Sequence, residues 1–561
     1  MRINKLVIGR WSLVVILLLA AILRLWKLGS IPPHLTPDEA ALGYNAYSIL
    51  KTGKDEYGQF LPIIFKSFGD YKPGLYVYLT VPSVAIFGLT EFATRLPSAL
   101  AGIISVYLIY LITSQLFKNK RISLISSFIM AITPWTIFFS RGAWEVNVSL
   151  TLTLAGIYFF LKSLRNSYFL ILTSIFFALT LVTYQGAKLS TAIVLVLLSV
   201  PYWKDIKKLL LENLSIVIIS TILGLIIISP IIISIFQGQA GRLEVFSLFS
   251  YKRPKEILEP FLKEGNEKVG SISYYLFHSE NLNFFRGVLG RYFNHFSARF
   301  LFFEGDWSNP RHSSPYQGVL LLSDALLLVA GFIALVKQKI RKEILFVWIW
   351  LFLAPLPSVL SRDQVHAVRA FHLVIPLIII LSLGLNLLIE RIKFLQSRFI
   401  RLSAYSLGIL IYFISFVYYL DSYFIHLPIH DSQYWEYGYK QVVETVTPIQ
   451  KDYREIRVWQ SFAQPYIFFL FFQKYDPVKY QKQAKLTPGQ PGDVGYVEHL
   501  DNIYFGPIDW TVNRGKRDTL FVADTIRIPV ADSNDPKFFK TIREIKYLNG
   551  RDIAFRMIKI L

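Results

Sequence analysis

The sequence contains no cysteine and only 3 methionines. The first absence removes disulfides, thiol nucleophiles and cysteine metal sites together. It leaves the compartment open, because a chain without cysteine is allowed on either side of a membrane. Charge is scarce as well: 17% of the 561 residues are charged, against about 25% in soluble domains. Apolar residues supply 53%, which excludes disorder, coiled coil and collagen and describes a chain dissolved largely in lipid. A formal charge of +21 would suggest nucleic acid if the basic residues clustered on one polar face. They fall instead in short runs between long apolar stretches, the pattern of a topology signal, so no nucleic-acid partner is expected. Neither a P-loop, an internal repeat nor a low-complexity linker is present.

A hydrocarbon core about 30 Å thick requires roughly 20 helical residues. Reading for that length gives eleven stretches: 11–27, 98–117, 122–140, 146–162, 167–185, 188–203, 214–236, 316–336, 344–360, 370–389 and 402–420. The first follows Arg2, Lys5 and Arg10 as a signal peptide would, but no small-residue cleavage site succeeds it, and it is read as a helix. Lys118, Lys120, Arg121, Lys162, Arg165, Lys204, Lys207, Lys208, Lys337, Lys339, Arg341, Lys342, Arg391, Lys393, Arg398 and Arg401 then occupy alternate loops. Positive loops face the cytoplasm, so the N-terminus is expected inside a plasma (inner) membrane and the C-terminus outside. The apolar stretch 75–88 is short and carries Pro82, which fits an interfacial segment better than a span. Read as a span it would invert every later loop.

The expected fold is therefore a polytopic α-helical membrane protein with about eleven transmembrane helices over residues 1–420. Outer loops 28–97 and 237–315 accompany it, the first with juxtamembrane helices. A small extracytoplasmic α/β domain is expected over 421–561. That tail offers strand-like 456–460, 502–506 and 519–523, a helix-length 464–474, and two alternating runs around Asn549-Gly550, the favoured pair for a tight type I′ turn.

Within the first outer loop, Thr36, Pro37 and Glu39 make a capping box, and Leu42, Ala46, Ile49 and Leu50 form one stripe of a surface-lying amphipathic helix. Capping alone explains Asp38 and Glu39. The same geometry keeps a carboxylate ionised at a helix N-terminus, which makes it a candidate general base. Asp55 and Glu56, without a cap, read as solvated surface. Lys72, in Asp70-Tyr71-Lys72-Pro73-Gly74, either snorkels to headgroups or binds a phosphate as a point charge. Arg141 and Glu145 flank a turn with almost no loop, where uncompensated charge is costly; they either pair or belong to a site. In the loop 361–369, Asp363 and His366 are too sparse for a metal site, whereas Arg369 is a phosphate candidate. Asp324 faces a cavity if its span begins at 316, and is merely interfacial if the helix starts later. The segment from Gly305-Asp306 to Arg311-His312 closes the loop 237–315 beside the same site.

Pro37-Asp38-Glu39, the Asp70 to Pro73 stretch and Arg141 with Glu145 together resemble the GT-C glycosyltransferases, in the protein O-mannosyltransferase-like group that includes the lipid A aminoarabinose transferases. The likeness in hydrophobic layout extends to about residue 420. It implies inverting transfer of a sugar from a polyprenyl-phosphate donor to a protein, lipid or glycan acceptor at the outer face. By position, Asp38 resembles the catalytic base, Glu39 and Glu145 orienting or acceptor-side carboxylates, and Lys72 with Arg369 phosphate ligands, with Arg141 a further phosphate candidate. Tyr71, Asp306, Arg311, His312 and His366 line the expected site. No cofactor is required, and a divalent metal is left open. Departures are Gly74, where many relatives have a second Pro, and Tyr434 to Gly438. This last stretch is only superficially similar to the oligosaccharyltransferase Trp-Trp-Asp signature, and reads as the start of a helix with Val442, Val443 and Val446 on one face. Competing readings are a transporter or lipid flippase, whose sites sit at the midplane in broken helices, and a lipid-linked glycan polymerase or ligase.

Overall fold

The computed structural model describes residues 5–238, 255–460, 464–487 and 495–561. Arg2, the side chains of Lys5 and Arg10, and residues 239–254 of the loop 237–315 lie outside the described set. The first half of the chain runs α1 (Lys5–Leu25), α2 (Pro37–Thr52), β1 (Ile64–Ser67), β2 (Asp70–Pro73), α3 (Leu75–Phe87), α4 (Glu91–Phe117), α5 (Lys120–Ile132), α6 (Pro134–Ser140), α7 (Glu145–Ser163), α8 (Phe169–Leu181), α9 (Ala187–Glu212) and α10 (Leu214–Phe236).

Among the described residues, 7 helices are long and apolar enough to cross a membrane, and the pair α5 and α6, bent by 57°, makes 8. The bend has a local cause. Thr133 precedes Pro134, and a residue before proline is pushed out of the helical region; it sits at φ −63°, ψ 128°. The remaining expected spans correspond to shorter apolar helices, Trp11–Leu25, Phe169–Leu181 and Asp324–Val336. Two of them are shorter than the sequence suggests. Helix α8 stops at Leu181, and 183–186 turn aside to present Tyr184 and Gln185 to a cavity. Residues 316–323 are not helical, because Val319 and Leu320 donate their backbone N–H groups to Phe300 and Leu301. Asp324 thus begins its helix rather than lying inside it. Its Oδ2 accepts from Leu321 N and its Oδ1 from the Tyr412 hydroxyl at 2.9 Å, so a buried carboxylate is satisfied without a transport role.

Where helices 324–336 and 374–393 cross, a Cβ on Gly384 would lie 2.0 Å from the Leu327 carbonyl and one on Gly331 2.1 Å from that of Ile380. Backbone approach of this kind is how small residues pack helices in lipid. By contrast α10 and the helix 398–421 turn Ile226, Ile233, Leu410 and Phe413 outward, as lipid-facing helices do. The basic loops meet at one end of the bundle, through an Arg121–Glu390 ion pair and Lys342 to Asp205 at 2.9 Å. The first loop, the 141–145 turn, the 361–369 loop and the tail gather at the other.

The first loop departs from its expected form. Helix α2 has the predicted capping box on Thr36 and Glu39, but it is buried along most of its length rather than lying on a surface. Its two sides are taken by α3 and α4 and by the tail domain. Asp55 and Glu56 are buried too, contrary to a solvated pair. Glu56 Oε1 accepts from Asn45 Nδ2 at 3.2 Å while its backbone N–H donates to Asn45 Oδ1, and burial lifts its carboxyl to about 8. The expected interfacial segment is helix α3. It lies along the start of α4, with the Tyr76 hydroxyl donating to Thr94 O and Ser83 Oγ to Ala93 O.

The tail is the expected α/β unit. Strands β3 (Glu455–Trp459), β4 (His499–Leu500), β5 (Ile503–Gly506), β6 (Thr519–Ala523), β7 (Phe539–Lys546) and β8 (Ile553–Ile560) form one sheet in the order β4-β5-β3-β6-β8-β7. Strand β3 is parallel to β5 and β6, whereas β8 is antiparallel to β6 and β7. Helix 439–449 buries Val442, Val443 and Val446 as expected. The β7–β8 connection is wider than a two-residue turn: Tyr547 N–H bonds Asp552 O, and Asn549 Oδ1 accepts from the N–H groups of Arg551 and Asp552. The helix Pro465–Phe472 joins the tail to α2. Phe471 lies over Gly43, whose added Cβ would come within 2.6 Å of the ring and 2.5 Å of Thr94 Oγ1.

Candidate active site

A cavity of about 380 Å³ opens where six segments converge: the start of α2, strand β2, the 143–146 turn, Tyr184-Gln185, the segment 309–312, and His366 with Val368. Its polar wall includes Asp38, Asp70, Lys72, Glu145, Tyr184, Gln185, Asn309, Arg311, His312 and His366.

Asp38 stands in the first turn of α2, after Thr36 as cap and Pro37 at the first helical position. The β1–β2 hairpin sets Lys72 opposite Phe65, and its Nζ lies 2.5 Å from Asp38 Oδ1. Partial burial opposes the lysine's charge, but Asp38, Glu145 and Asp70 outweigh it and lift its pKa above the ordinary lysine value. Lys72 is therefore a fixed cation. Glu145 opens α7 on the facing wall, and its charge reaches Lys72. These three groups are together, as the sequence suggested.

Glu39 is placed otherwise. It is buried, with Arg95 Nε donating to Oε1 at 2.9 Å and Arg95 Nη2 to Oε2 at 3.3 Å, while Ala143 N–H donates to Oε1 at 2.8 Å. With Thr36 N–H also donating to Oε2, Glu39 ties α2, α4 and the 143–146 turn together at the wall of the cavity, a placement that fits an orienting carboxylate. Arg141 departs from its expected role. It is fully buried and donates to Leu23 O at 2.8 Å, Trp26 O at 2.6 Å, Ile31 O at 3.1 Å and the Tyr423 hydroxyl at 3.3 Å. It neither pairs with Glu145 nor faces the cavity as a phosphate ligand; it anchors the end of α1.

Arg369 bonds Asp363 at 3.1 Å and lies near enough to Tyr184, a residue of the cavity wall, to act on its hydroxyl. Tyr71 accepts a Gln185 side-chain N–H at its backbone carbonyl and positions that wall rather than lining it. Asp306 is buried and holds His312 through Nδ1 at 3.0 Å. Burial first, then His312 and Arg369, hold His366 well below the usual histidine range.

Several residues escaped the sequence reading. Arg95 and the Tyr184-Gln185 turn gave a signal, being polar groups at the ends of apolar stretches. Glu436, from the tail stretch set aside as a helix start, is buried with Oε1 3.9 Å from the Arg311 guanidinium.

The sequence model of the dolichyl-phosphate-mannose-protein mannosyltransferase family matches residues 71–233, from the hairpin that carries Lys72 through α10. A Bacillus subtilis protein named as a mannosyltransferase, YkcB, is 32% identical over 132 residues, 23% of this chain and 17% of YkcB. The chain thus spans under a fifth of that relative. ArnT from Cupriavidus metallidurans, bound to undecaprenyl phosphate, superposes with a TM-score of 0.55 at 11% identity, over 97% of each chain. Its apo structure gives 0.56 over 98% of each. Because this correspondence runs through the helical bundle and the tail domain alike, the chain has the GT-C fold.

Proposed function

We propose that the protein is an inverting glycosyltransferase that takes its sugar from a polyprenyl phosphate and works at the outer face of the plasma (inner) membrane, its N-terminus in the cytoplasm. The observation that carries this reading is the Asp38–Lys72 pair at 2.5 Å on the wall of a cavity of about 380 Å³. A lipid phosphate on an anomeric carbon is already a good leaving group, so one base and one cation are sufficient. The acceptor hydroxyl attacks the anomeric carbon, its proton passes to an Asp38 oxygen, and the C–O electron pair leaves on the phosphate, whose growing charge Lys72 stabilises. Nothing in this step asks for a nucleotide, cofactor or covalent intermediate. The match to the mannosyltransferase family and the undecaprenyl phosphate bound by ArnT support mannose as the first sugar and undecaprenyl phosphate as the first carrier to test.

A transporter would be favoured by an ionisable residue within a span, but Asp324 begins its helix and is bonded by Leu321 and Tyr412. The charges that line the cavity gather instead at one end of the bundle. The test is incubation of the purified protein with a panel of polyprenyl-phosphate sugars, with and without hydroxyl acceptors on peptide, lipid and glycan. Release of free lipid phosphate supports the reading; transport of intact donor without cleavage overturns it.

A further inference from the structure

A second cavity, of about 440 Å³, lies within the helical bundle between α8, α9 and α10. Its origin is in the packing of these helices. Helices α8 and α10 are drawn together: Ser174 Oγ donates to Ser220 O at 2.5 Å, and a Cβ on Gly224 would lie 2.5 Å from Ser174 Oγ. Helix α9 is drawn elsewhere. Pro201 interrupts its hydrogen bonding and leaves Tyr202 at φ −106°, ψ 16°. The part beyond docks on helix Lys342–Leu353, with Lys342 Nζ 2.9 Å from Asp205 Oδ2 and 5.1 Å from the centre of the Tyr202 ring. Near the turn that joins α8 to α9, the hydroxyls of Thr180 and Thr191 stand 2.7 Å apart and hold the two helices together. From there the cavity extends to Leu170, Leu209 and Val217.

The walls suit a hydrocarbon chain. Thr173, Ser199, Ser220 and Thr221 line the cavity, yet each hydroxyl donates to a carbonyl of its own helix, at 2.7–3.0 Å, and offers no free donor. On α8 the lining runs from Leu170 to Leu181, about 17 Å at roughly 1.5 Å per residue. Half of a hydrocarbon core about 30 Å thick is close to this, so the cavity has the depth of one leaflet. Charge says which leaflet. The end at Leu170, Leu209 and Val217 adjoins Arg165, Lys204 and Lys207, whereas the catalytic cavity, with Tyr184 and Gln185, lies beyond the other end. These three basic residues are exposed and have no carboxylate partner among the described residues. The acidic groups of the same stretch, Asp205 and Glu212, are taken by Lys342 and Lys208. Basic residues so placed attract anionic lipid headgroups.

We propose that this cavity holds one acyl chain of an anionic phospholipid from the leaflet at the basic-loop end, with the lipid phosphate over Arg165, Lys204 and Lys207. The chain fills the gap left where α9 leans away from α8 and α10, and the headgroup supplies the counter-charge that the three basic residues lack. In the topology proposed above this is the cytoplasmic leaflet; the binding itself does not depend on that orientation. The phosphate of a sugar donor would sit at Lys72, beyond the opposite end, so the two lipids enter from different leaflets.

The test uses full-length protein, delipidated in detergent and titrated with dioleoylphosphatidylglycerol, dioleoylphosphatidylcholine or undecaprenyl phosphate. Retained lipid is counted by native mass spectrometry and Tm is recorded alongside. The expected result is one phosphatidylglycerol per chain with a rise in Tm, and phosphatidylcholine at least about tenfold weaker. Lys204→Gln with Lys207→Gln should weaken phosphatidylglycerol binding by about tenfold or more. Lys339→Gln with Arg398→Gln, on other loops at the same end, should not. Leu195→Trp, at an exposed position of the lining, fills the cavity and should abolish retention while the helical circular dichroism is unchanged. Lys72→Met should retain the lipid, so failure here and failure of the transferase reading are distinguishable. Loss of all phosphatidylglycerol from the unsubstituted protein, equal retention of phosphatidylcholine, preference for undecaprenyl phosphate, or full retention in Leu195→Trp overturns the proposal.

Discussion

Lys72 Nζ lies 2.5 Å from Asp38 Oδ1, joining strand β2 to the first turn of α2. With side-chain exposures of 26% and 64%, the pair contributes little to stability, since partly solvated ion pairs are worth about 0–1 kcal/mol. The hairpin and the capping box already fix both backbones. Under the transferase reading, the phosphate of an arriving donor competes with Asp38 for the lysine. Donor binding then frees the carboxylate to accept a proton.

Asp38→Asn is expected to leave Tm and membrane insertion unchanged and to lower kcat by about 10³-fold, the scale of a lost general base. Lys72→Met should act on the other partner, raising the donor KM by about tenfold or more, as loss of a charged hydrogen bond of about 1.5–3 kcal/mol implies. The measurement is steady-state release of lipid phosphate at several donor concentrations. An Asp38→Asn enzyme with undiminished kcat would remove Asp38 from the mechanism.

Glu39, one residue along, should behave in the opposite way. Its removal leaves the Arg95 guanidinium buried without its carboxylate, a change that costs about 3–5 kcal/mol in buried pairs. Glu39→Ala is therefore expected to lower the detergent Tm and the yield of folded protein sharply, where Asp38→Asn does neither. Equal Tm values for the two variants would contradict the division of labour between these neighbours.

That division marks the limit of what the sequence could tell. The capping box, the alternation of basic loops, the short apolar segment 75–88 and the strands of the tail depend on local patterns, and each is legible in order along the chain. Burial of α2 is not, because it depends on the tail more than 400 residues later: Tyr44 donates to Tyr475 O, and Gln481 Nε2 to Ser48 Oγ. Arg141 was misread for a related reason. Charge at the end of a span suggests a site, but the carbonyls that saturate it come from α1 and the loop after it, a pairing that no sequence period encodes. Where two groups both stand on a local element facing the cavity, as Asp38 and Lys72 do, the sequence marks them as candidates and the structure brings them to one wall.

Gly43 gives a test of the α2–tail junction. A methyl group there meets Phe471 at 2.6 Å and Thr94 Oγ1 at 2.5 Å, on the faces toward the tail and toward α4. Overpacking at such a contact costs about 1–3 kcal/mol. Gly43→Ala should loosen the tail, seen as faster proteolytic release of a tail fragment, with the bundle intact. Unchanged cleavage kinetics would mean that α2 shifts to accept the methyl.

Glu436 gives the pH dependence. Burial lifts its carboxyl from 4.5 to about 8, with Arg311 pulling it down and Asp38 pushing it up. The sign follows from proton counting: between pH 4.5 and about 8 the folded protein holds a proton that the unfolded chain has released. Stability therefore falls as pH rises through that window, is fully present below it and levels off above it. Each tenfold difference in proton affinity is worth about 1.4 kcal/mol, so the effect reaches at most a few kcal/mol. At neutral pH the side chain is mostly a neutral acid, for which glutamine is nearly isosteric. Glu436→Gln should then match the parent protein in Tm near pH 5 and exceed it near pH 9, in a pH series read by thermal unfolding. Parallel Tm curves for the two proteins would show that Glu436 is ionised throughout, held so by Arg311.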